Sequence, residues 1–386
     1  MICMDWYRCS ASHKFGPLGN FASGLLFCFV NQRSFGNGTY SRCSQRNRNH
    51  NSGNYNFICC LKSYKYCFRL KEKGRRQLML ADLFDPAFAD SVARIAVPIL
   101  LASLGGAICH RAGVFNIALE GFILMGAFAA VLGTFILGHV FWGVLSGILA
   151  SVFMGLLFAE FHLRRPGDAI VVSIALNLIG LGLTTYLLRA VLGVSGVFQD
   201  EALGKIIEIN IPLIESLPFL GSFLSGQSIL FYISILLVFI LHYIYSRHKL
   251  GFWMRAAGEN PLALKTVGIK PAPIKLLALV LCGICCGLAG AQLSISNVSL
   301  FVENMSAGRG WIAVVIVLVT NGRPIPLLGL VLLFGFVDSL SLRLQGFGFP
   351  QQFTEMMPYI ASMIALIFVS IRRMRNLVGM RGYDNG

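Results

Sequence analysis

Charge is scarce in this chain. Of 386 residues only 13% are Asp, Glu, Lys or Arg and 56% are hydrophobic, which excludes an ordinary globular domain, where about a quarter of residues are charged. The sequence has no GxxxxGK[ST] loop to cradle phosphates, no Gly-rich dinucleotide fingerprint after a strand, and no GxSxG elbow to present a nucleophile. The seven histidines form no HExxH or other ligand spacing. Cysteine is concentrated in the first 78 residues, and beyond them only Cys109, Cys282, Cys285 and Cys286 remain. The CGICC run has no second Cys or His motif to complete a metal site, so it reads as close packing of small residues, and no metal or disulfide framework is expected. The chain is read as non-catalytic. Any energy it uses comes from an ion gradient or from another subunit.

What the chain has instead is apolar runs of about 20 residues, each long enough to cross a hydrocarbon core of about 30 Å. Spans are expected at Val92–Cys109, Ile117–Leu137, Phe141–Phe161, Ala169–Leu192, Ile229–Ser246, Ile274–Ser296, Gly310–Thr320, Leu327–Leu344 and Met356–Ile371, the seventh short enough to be a half-span. Backbone groups in lipid need internal partners, so these are helices. The fold class is all-α, a polytopic bundle of about 8–10 spans with broken helices and room for an internal inverted repeat. Arg164 and Arg165, the loop from Arg247 to Lys275, Arg323, and the tail residues Arg372, Arg373, Arg375 and Arg381 all fall on one side of this order. The positive-inside rule makes that side cytoplasmic. The segment from Gly193 to Gln227 carries Asp200, Glu201, Glu208 and Glu215 against Lys205 alone, as suits an external loop.

Residues 1–78 differ in kind from residues 79–386. They hold 13 Lys or Arg against two acidic residues, while the remainder holds 19 against 15, and they show no sustained period of 3.6 or 2. The apolar run Gly24–Val30 is too short for a signal peptide and has no cleavage site after it. One reading is a basic arm for nucleic acid or acidic lipid. The favoured reading is upstream sequence ahead of a true start at Met79, with no nucleic-acid partner.

Two segments place polar residues and glycine where apolar residues are expected. In the first half GVFNIALEGFILMGAFAA brings Asn116, Glu120 and Gly121 to the start of a span. In the second ENMSAGRGWIAVVIVLV does so with Ser306, Gly308, Arg309 and Gly310, followed by Trp311. Interrupted helices in the two halves are the usual pointer to a transport pathway, though each also fits a helix cap with an interfacial charge. Candidate pathway residues are Asn116, Glu120, Asn177, Gln292, Arg309 and Trp311. For Glu120 a cap or a salt bridge to Arg111 is the plainer alternative. Asn177 and Gln292 could equally bond neighbouring helices, and Asp338 and Arg343, five apart, could pair structurally. Trp311 beside Arg309 could stack on a planar ligand or sit at an interface. In the basic loop, MRAAGENPLALKTVG is expected to form a short helix too polar to enter lipid, with Asn260 suited to an N-cap and Pro261 to a first turn.

Four motifs in order, GVFNIALEGFILMGAFAA, RAAGENPLALKTVGI, SAGRGWIAV and LLFGFVDSLSLRLQ with a following MPY, resemble the membrane permease subunit of bacterial ABC importers in the branched-chain amino acid, ribose and simple-sugar group, nucleoside branch. The resemblance covers residues 79 to about 375. It implies a multi-pass protein of the bacterial cytoplasmic membrane that imports nucleosides, with simple sugars or another small polar solute as the alternative. It further implies a cytoplasmic ABC ATPase that binds ATP-Mg, a second permease subunit, an external substrate-binding lipoprotein, and surrounding membrane lipid. No cofactor is expected on this chain. Carried onto matching positions, the ATPase-coupling loop would comprise Arg255, Gly258, Glu259, Asn260, Pro261 and Lys265. The chain departs from the family pattern at Phe122 and Leu264. An ion-coupled secondary transporter or channel is the alternative of a different class.

Overall fold

A computed structural model describes residues 86–165, 167–200, 204, 206–209, 223–346, 352, 354, 356–367 and 371, all within one compact unit, Met79–Gly386. The basic segment 1–78, Glu201, Lys205, Glu215 and the four tail arginines lie outside the described residues. The helices are α1 (Pro86–Arg111), α2 (Leu119–Leu137), α3 (Val140–Ala159), α4 (Ala169–Leu192), α5 (Ile229–Arg247), α6 (Lys249–Glu259), α7 (Pro261–Thr266), α8 (Pro271–Ala291), α9 (Arg309–Thr320), α10 (Pro324–Gly346) and α11 (Met356–Ile367). A π-helical turn extends α3 through Glu160–Arg164, and another extends α8 through Gln292–Ser296. Four two-residue strands, β1 (Val197–Phe198), β2 (Glu208–Ile209), β3 (Gln227–Ser228) and β4 (Phe301–Val302), pair antiparallel as β1 with β4 and β2 with β3.

Among the described residues seven helices are long and apolar enough to span a membrane, and α9 and α11 are shorter apolar helices at the expected seventh and ninth positions. At 1.5 Å per residue, α9 reaches only about 18 Å and is a half-span. The bundle has an inner set and an outer set. The spanning windows of α1, α2 and α8 are 89%, 78% and 61% buried, whereas those of α3, α4, α5 and α10 are 33% or less. Small residues explain the inner set. A Cβ on Gly287 of α8 would lie 2.5 Å from Ile148 Cα, and one on Gly290 would lie 2.4 Å from Ala127 N. The α8 backbone therefore lies almost directly on α3 and α2, close packing that stands in for the hydrophobic drive that lipid removes.

Two expectations are corrected. The second span starts at Leu119 rather than Ile117, because residues 114–117 form no helix. The basic loop holds two helices, α6 and α7, broken at Asn260 with φ −147° and ψ 88°. The following proline is the reason: its ring disfavours helical backbone at the residue before it.

The ends of the bundle differ in charge. His110 and Arg111, Arg164, the α6–α7 loop and Arg323 mark the ends of α1, α3, α5 and α9 that share one side. On the other side Asp90 and Glu208 meet Arg94 at 3.0 and 3.6 Å, and Glu303 meets Arg189 at 3.3 Å. Gly287→Leu is expected to prevent α8 from seating on α3. Size-exclusion chromatography of detergent-solubilised protein should then show loss of the monodisperse species, while an exposed control such as Leu149→Ala keeps it.

Candidate functional site

The first helix break is an extended stretch that leaves α1 at Arg111 and enters α2 at Leu119. Its exposure alternates, with Val114 and Asn116 buried and Gly113 and Phe115 exposed, the period of a strand without a partner strand. Its backbone groups need other partners, and α4 supplies them. Ser173 Oγ accepts from Ile117 N at 3.1 Å. Asn177, one turn on, accepts from Gly121 N at 2.8 Å and donates to Ile117 O at 3.1 Å. Positions four apart on a helix share a face, so the pair grips the stretch at consecutive points. Asn116 closes its own turn, accepting from Ala118 N at 2.9 Å, and its amide points to Cys282 Sγ at 3.7 Å.

The second break joins the π turn after α8 to the start of α9. Its backbone takes positive φ at Ser299, Asn304 and Ala307 as well as at Gly308. The two breaks meet at Glu120, which is 8% exposed. One carboxylate oxygen accepts from Ser306 Oγ and from Gly308 N at 2.8 Å, and the other accepts from Gly310 N at 2.7 Å. Glu120 lies in the first turn of α2 and caps the first turn of α9, so a single negative charge serves two helix N-termini whose dipoles both favour it. Gly310 makes this fit possible, since a Cβ there would lie 2.5 Å from Glu120 N. The salt bridge to Arg111 weighed above does not form. Arg111 instead donates to Gly322 O at 3.3 Å and stands 5.7 Å above the Tyr245 ring.

The other candidates separate. Gln292, 2% exposed, accepts from Ser228 Oγ at 2.8 Å and donates to Asn297 Oδ1 at 3.1 Å, tying α8 to the start of α5. Arg309 donates to Met305 O at 3.3 Å and Ser306 O at 3.4 Å, and its Nε is buried without a hydrogen-bond partner. Trp311 is 45% exposed on the outer side of α9. A cavity between the extended stretch and α9, lined by Val114, Phe115, Asn116, Val314 and Val317 among others, has about 10 Å³. That is room for about one water, against several hundred Å³ for a ligand pocket.

In the basic loop, Asn260 Oδ1 accepts from Ala263 N at 3.1 Å and Pro261 holds the first position of α7, as the sequence indicates. Gly258 serves packing: a Cβ there would lie 2.6 Å from Arg111 O, and one on Gly113 would lie 2.6 Å from Gly258 Cα. The loop therefore rests directly on the beginning of the first break. Arg255 and Glu259 lie within electrostatic reach of Arg111. Lys265 stands in the last turn of α7, exposed, and the same short helix displays Leu262, with Val267 just after it, at 71% and 74% exposure. Those two apolar residues were passed over in the sequence because the loop's charge dominates it. The signal was an apolar side chain in a helix too polar to enter lipid. Ser173 and Ser306 were missed as partners because nothing local announces a bond across 56 or 186 positions.

Glu120→Ala is expected to leave three donors without an acceptor, at about 1.5–3 kcal/mol for each bond to a charged group. Asn177→Ala loses two neutral bonds, at about 1 kcal/mol each. Thermal unfolding of the solubilised protein should rank the variants Glu120→Ala well below Asn177→Ala, and Asn177→Ala below the unsubstituted chain; equal midpoints would remove the bracing role.

Comparison with known proteins agrees with this architecture. A family profile described as branched-chain amino acid transport system / permease component matches residues 88–369. The chain is 31% identical to a guanosine ABC transporter permease protein of Bacillus subtilis, over 70% of this chain and 88% of the relative. It is 27% identical to a nucleoside ABC transporter permease protein of Lactococcus lactis, over 70% and 88%. It is 24% identical to a glucose ABC transporter permease protein of Haloferax volcanii, over 72% and 76%. With most of its length matched by the profile, and with breaks and spans in the order described, this multi-pass membrane protein belongs to the ABC transporter permease family of the branched-chain amino acid type.

Proposed function

We propose that the chain is the membrane subunit of an ATP-driven importer for nucleosides in the bacterial cytoplasmic membrane. One observation carries the choice of a neutral solute. Half-helix N-termini in transporters attract anionic substrate groups, but the N-terminus of α9 is filled by the chain's own Glu120 carboxylate. An amino acid's carboxylate would meet a negative charge there. A nucleoside or a sugar would not, and the relatives named above for guanosine and nucleosides favour the former. Simple sugars are the second reading, favoured by the glucose permease relative.

In this reading a separate cytoplasmic ATPase binds and hydrolyses ATP-Mg, an external lipoprotein delivers substrate, and a second permease subunit completes the pathway in the lipid bilayer. This chain contributes no catalytic group and no cofactor site. The α6–α7 loop docks on the ATPase through Leu262 and Val267, ringed by Arg255, Glu259 and Lys265. Asn260 and Pro261 fix the start of α7, so that the docking helix is rigid. Gly258 passes the movement on: it bears on Arg111–Gly113, where the first break begins, and that break ends at Glu120.

Cells expressing the chain with its ATPase, partner permease and lipoprotein should accumulate labelled guanosine and not labelled leucine. Leucine uptake would overturn the neutral-solute reading, and glucose uptake without guanosine would select the second. Glu259→Lys, Pro261→Gly and Leu262→Asp should each leave the permease inserted but lower uptake at least tenfold relative to ATP hydrolysis. Normal uptake with all three would count against the docking role.

A further inference from the structure

The end of α5 records where the hydrocarbon stops. Its outward stripe runs Leu236, Phe239, Tyr243 and Arg247, three or four apart and therefore on one face. The first three are 57%, 58% and 63% exposed, and Arg247 is exposed beyond them. Apolar side chains give way to a tyrosine and then to a charge, the order in which a spanning helix leaves lipid through the interface. Only His248 separates α5 from α6, and its extended backbone, at φ −98° and ψ 146°, turns the chain. α6 does not hang clear of the bundle. A Cβ on Gly251 would lie 2.7 Å from Tyr245 Cα, so the first turn of α6 is seated against α5 between the levels of Tyr243 and Arg247. Gly251, Met254 and Ala257 are its buried face, the last two in one cluster with Tyr245, Ala112 and Ile274. The opposite stripe is Lys249, Phe252, Trp253 and Ala256. Phe252 is 70% exposed and Trp253 36%.

We infer that this stripe of α6 lies in the membrane interface and binds anionic phospholipid. Phe252 and Trp253 enter the boundary between headgroups and acyl chains, while Arg247 and Lys249 meet the lipid phosphates. Depth and charge carry the assignment together. A helix lying at the level where a neighbouring span passes from Tyr to Arg meets headgroups with its outer face, and an aromatic side chain with one wet edge suits that level. Lys and Arg beside buried aromatics are what an anionic surface selects, since each such cation near the surface adds attraction that a neutral headgroup does not return. Between Arg247 and Lys275 there are six Lys or Arg and one acidic residue, Glu259, which stands seven positions, about 10 Å, beyond Phe252. The ATPase-docking residues proposed above belong to α7, past the break at Asn260, so the two surfaces are separate. Anchoring the α5 end of α6 leaves its Gly258 end to follow α7. The inference rests on the membrane placement of the chain and not on which solute it carries.

The test uses the full chain in vesicles of equal parts phosphatidylcholine and phosphatidylglycerol, with bromine on the acyl chains of one lipid or of the other. Quenching of Trp253 fluorescence is taken as the difference from a Trp253→Phe chain. Brominated phosphatidylglycerol should quench at least twofold more than brominated phosphatidylcholine, and high salt should reduce that preference, because salt screens exposed charges. Arg247→Gln with Lys249→Gln should bring the ratio to one while quenching by brominated phosphatidylcholine persists, which shows α6 still in place. Equal quenching of the unsubstituted chain by the two lipids would overturn the anionic preference. Absence of quenching by either would overturn the interfacial placement, and so would quenching that disappears when the ATPase is added, since the ATPase would then be what covers this face.

Discussion

The carboxylate of Glu120 is the constraint on which the rest of this membrane domain depends. Two stretches of backbone leave helical geometry inside the bundle, and in lipid such stretches persist only where protein satisfies them. Glu120 ends the first stretch and caps the helix after the second, accepting three hydrogen bonds. Without it α9 would begin at membrane depth with unpaired N–H groups. Gly310 and Gly121 are its necessary companions. Each lets a neighbouring backbone come within a distance that a Cβ would forbid, 2.5 Å to Glu120 N in one case and 2.7 Å to Leu176 O in the other.

From that junction a short mechanical path leads to the basic end. The extended stretch runs back from Leu119 to Gly113, whose positive φ of 72° turns the chain out of α1. Gly258 of the loop lies against this turn. An extended segment transmits a pull along its length better than it transmits a bend, and Ser173 and Asn177 hold it laterally from α4. In the proposed coupling role, a displacement of the α6–α7 pair would reach Glu120 without first unwinding a helix. In that role the loop's glycine, in direct contact with the turn, would matter as much as its exposed charged residues.

The spans were legible because hydropathy over about 20 residues reports the solvent a helix must meet, and α9 announced itself as a half-span by its length alone. The N-cap at Asn260 was also legible, since Asn-Pro carries its own local chemistry. The break in the loop helix followed from the same two residues but was overridden by the continuous pattern around them. What the sequence could not disclose was partnership. Glu120 could be placed at the start of a span and recognised as costly, but its choice of α9 over Arg111 depends on a meeting of segments 186 or more positions apart. Asn177 likewise could be placed within a span with pathway lining and helix bonding both open, but its two bonds to the first break had no local signal.

Close packing also determines where a substrate can pass. The glycine stripe of α8 brings α2 and α3 against it, and the cavity beside the break, at about 10 Å³, is a water's width. The inner helices α1, α2 and α8 therefore form a solid wedge rather than a channel wall. Outside that core, Trp311 of α9 and Tyr359 of α11 are 45% and 48% exposed. A half-span that starts at Arg309 and exposes a Trp is poorly suited to face lipid tails, where a charge is costly. It is suited to a surface that another subunit covers, with the substrate between them. In the proposed importer the pathway would then be a groove shared by two permeases, with the brace at Glu120 holding this chain's side of it in shape.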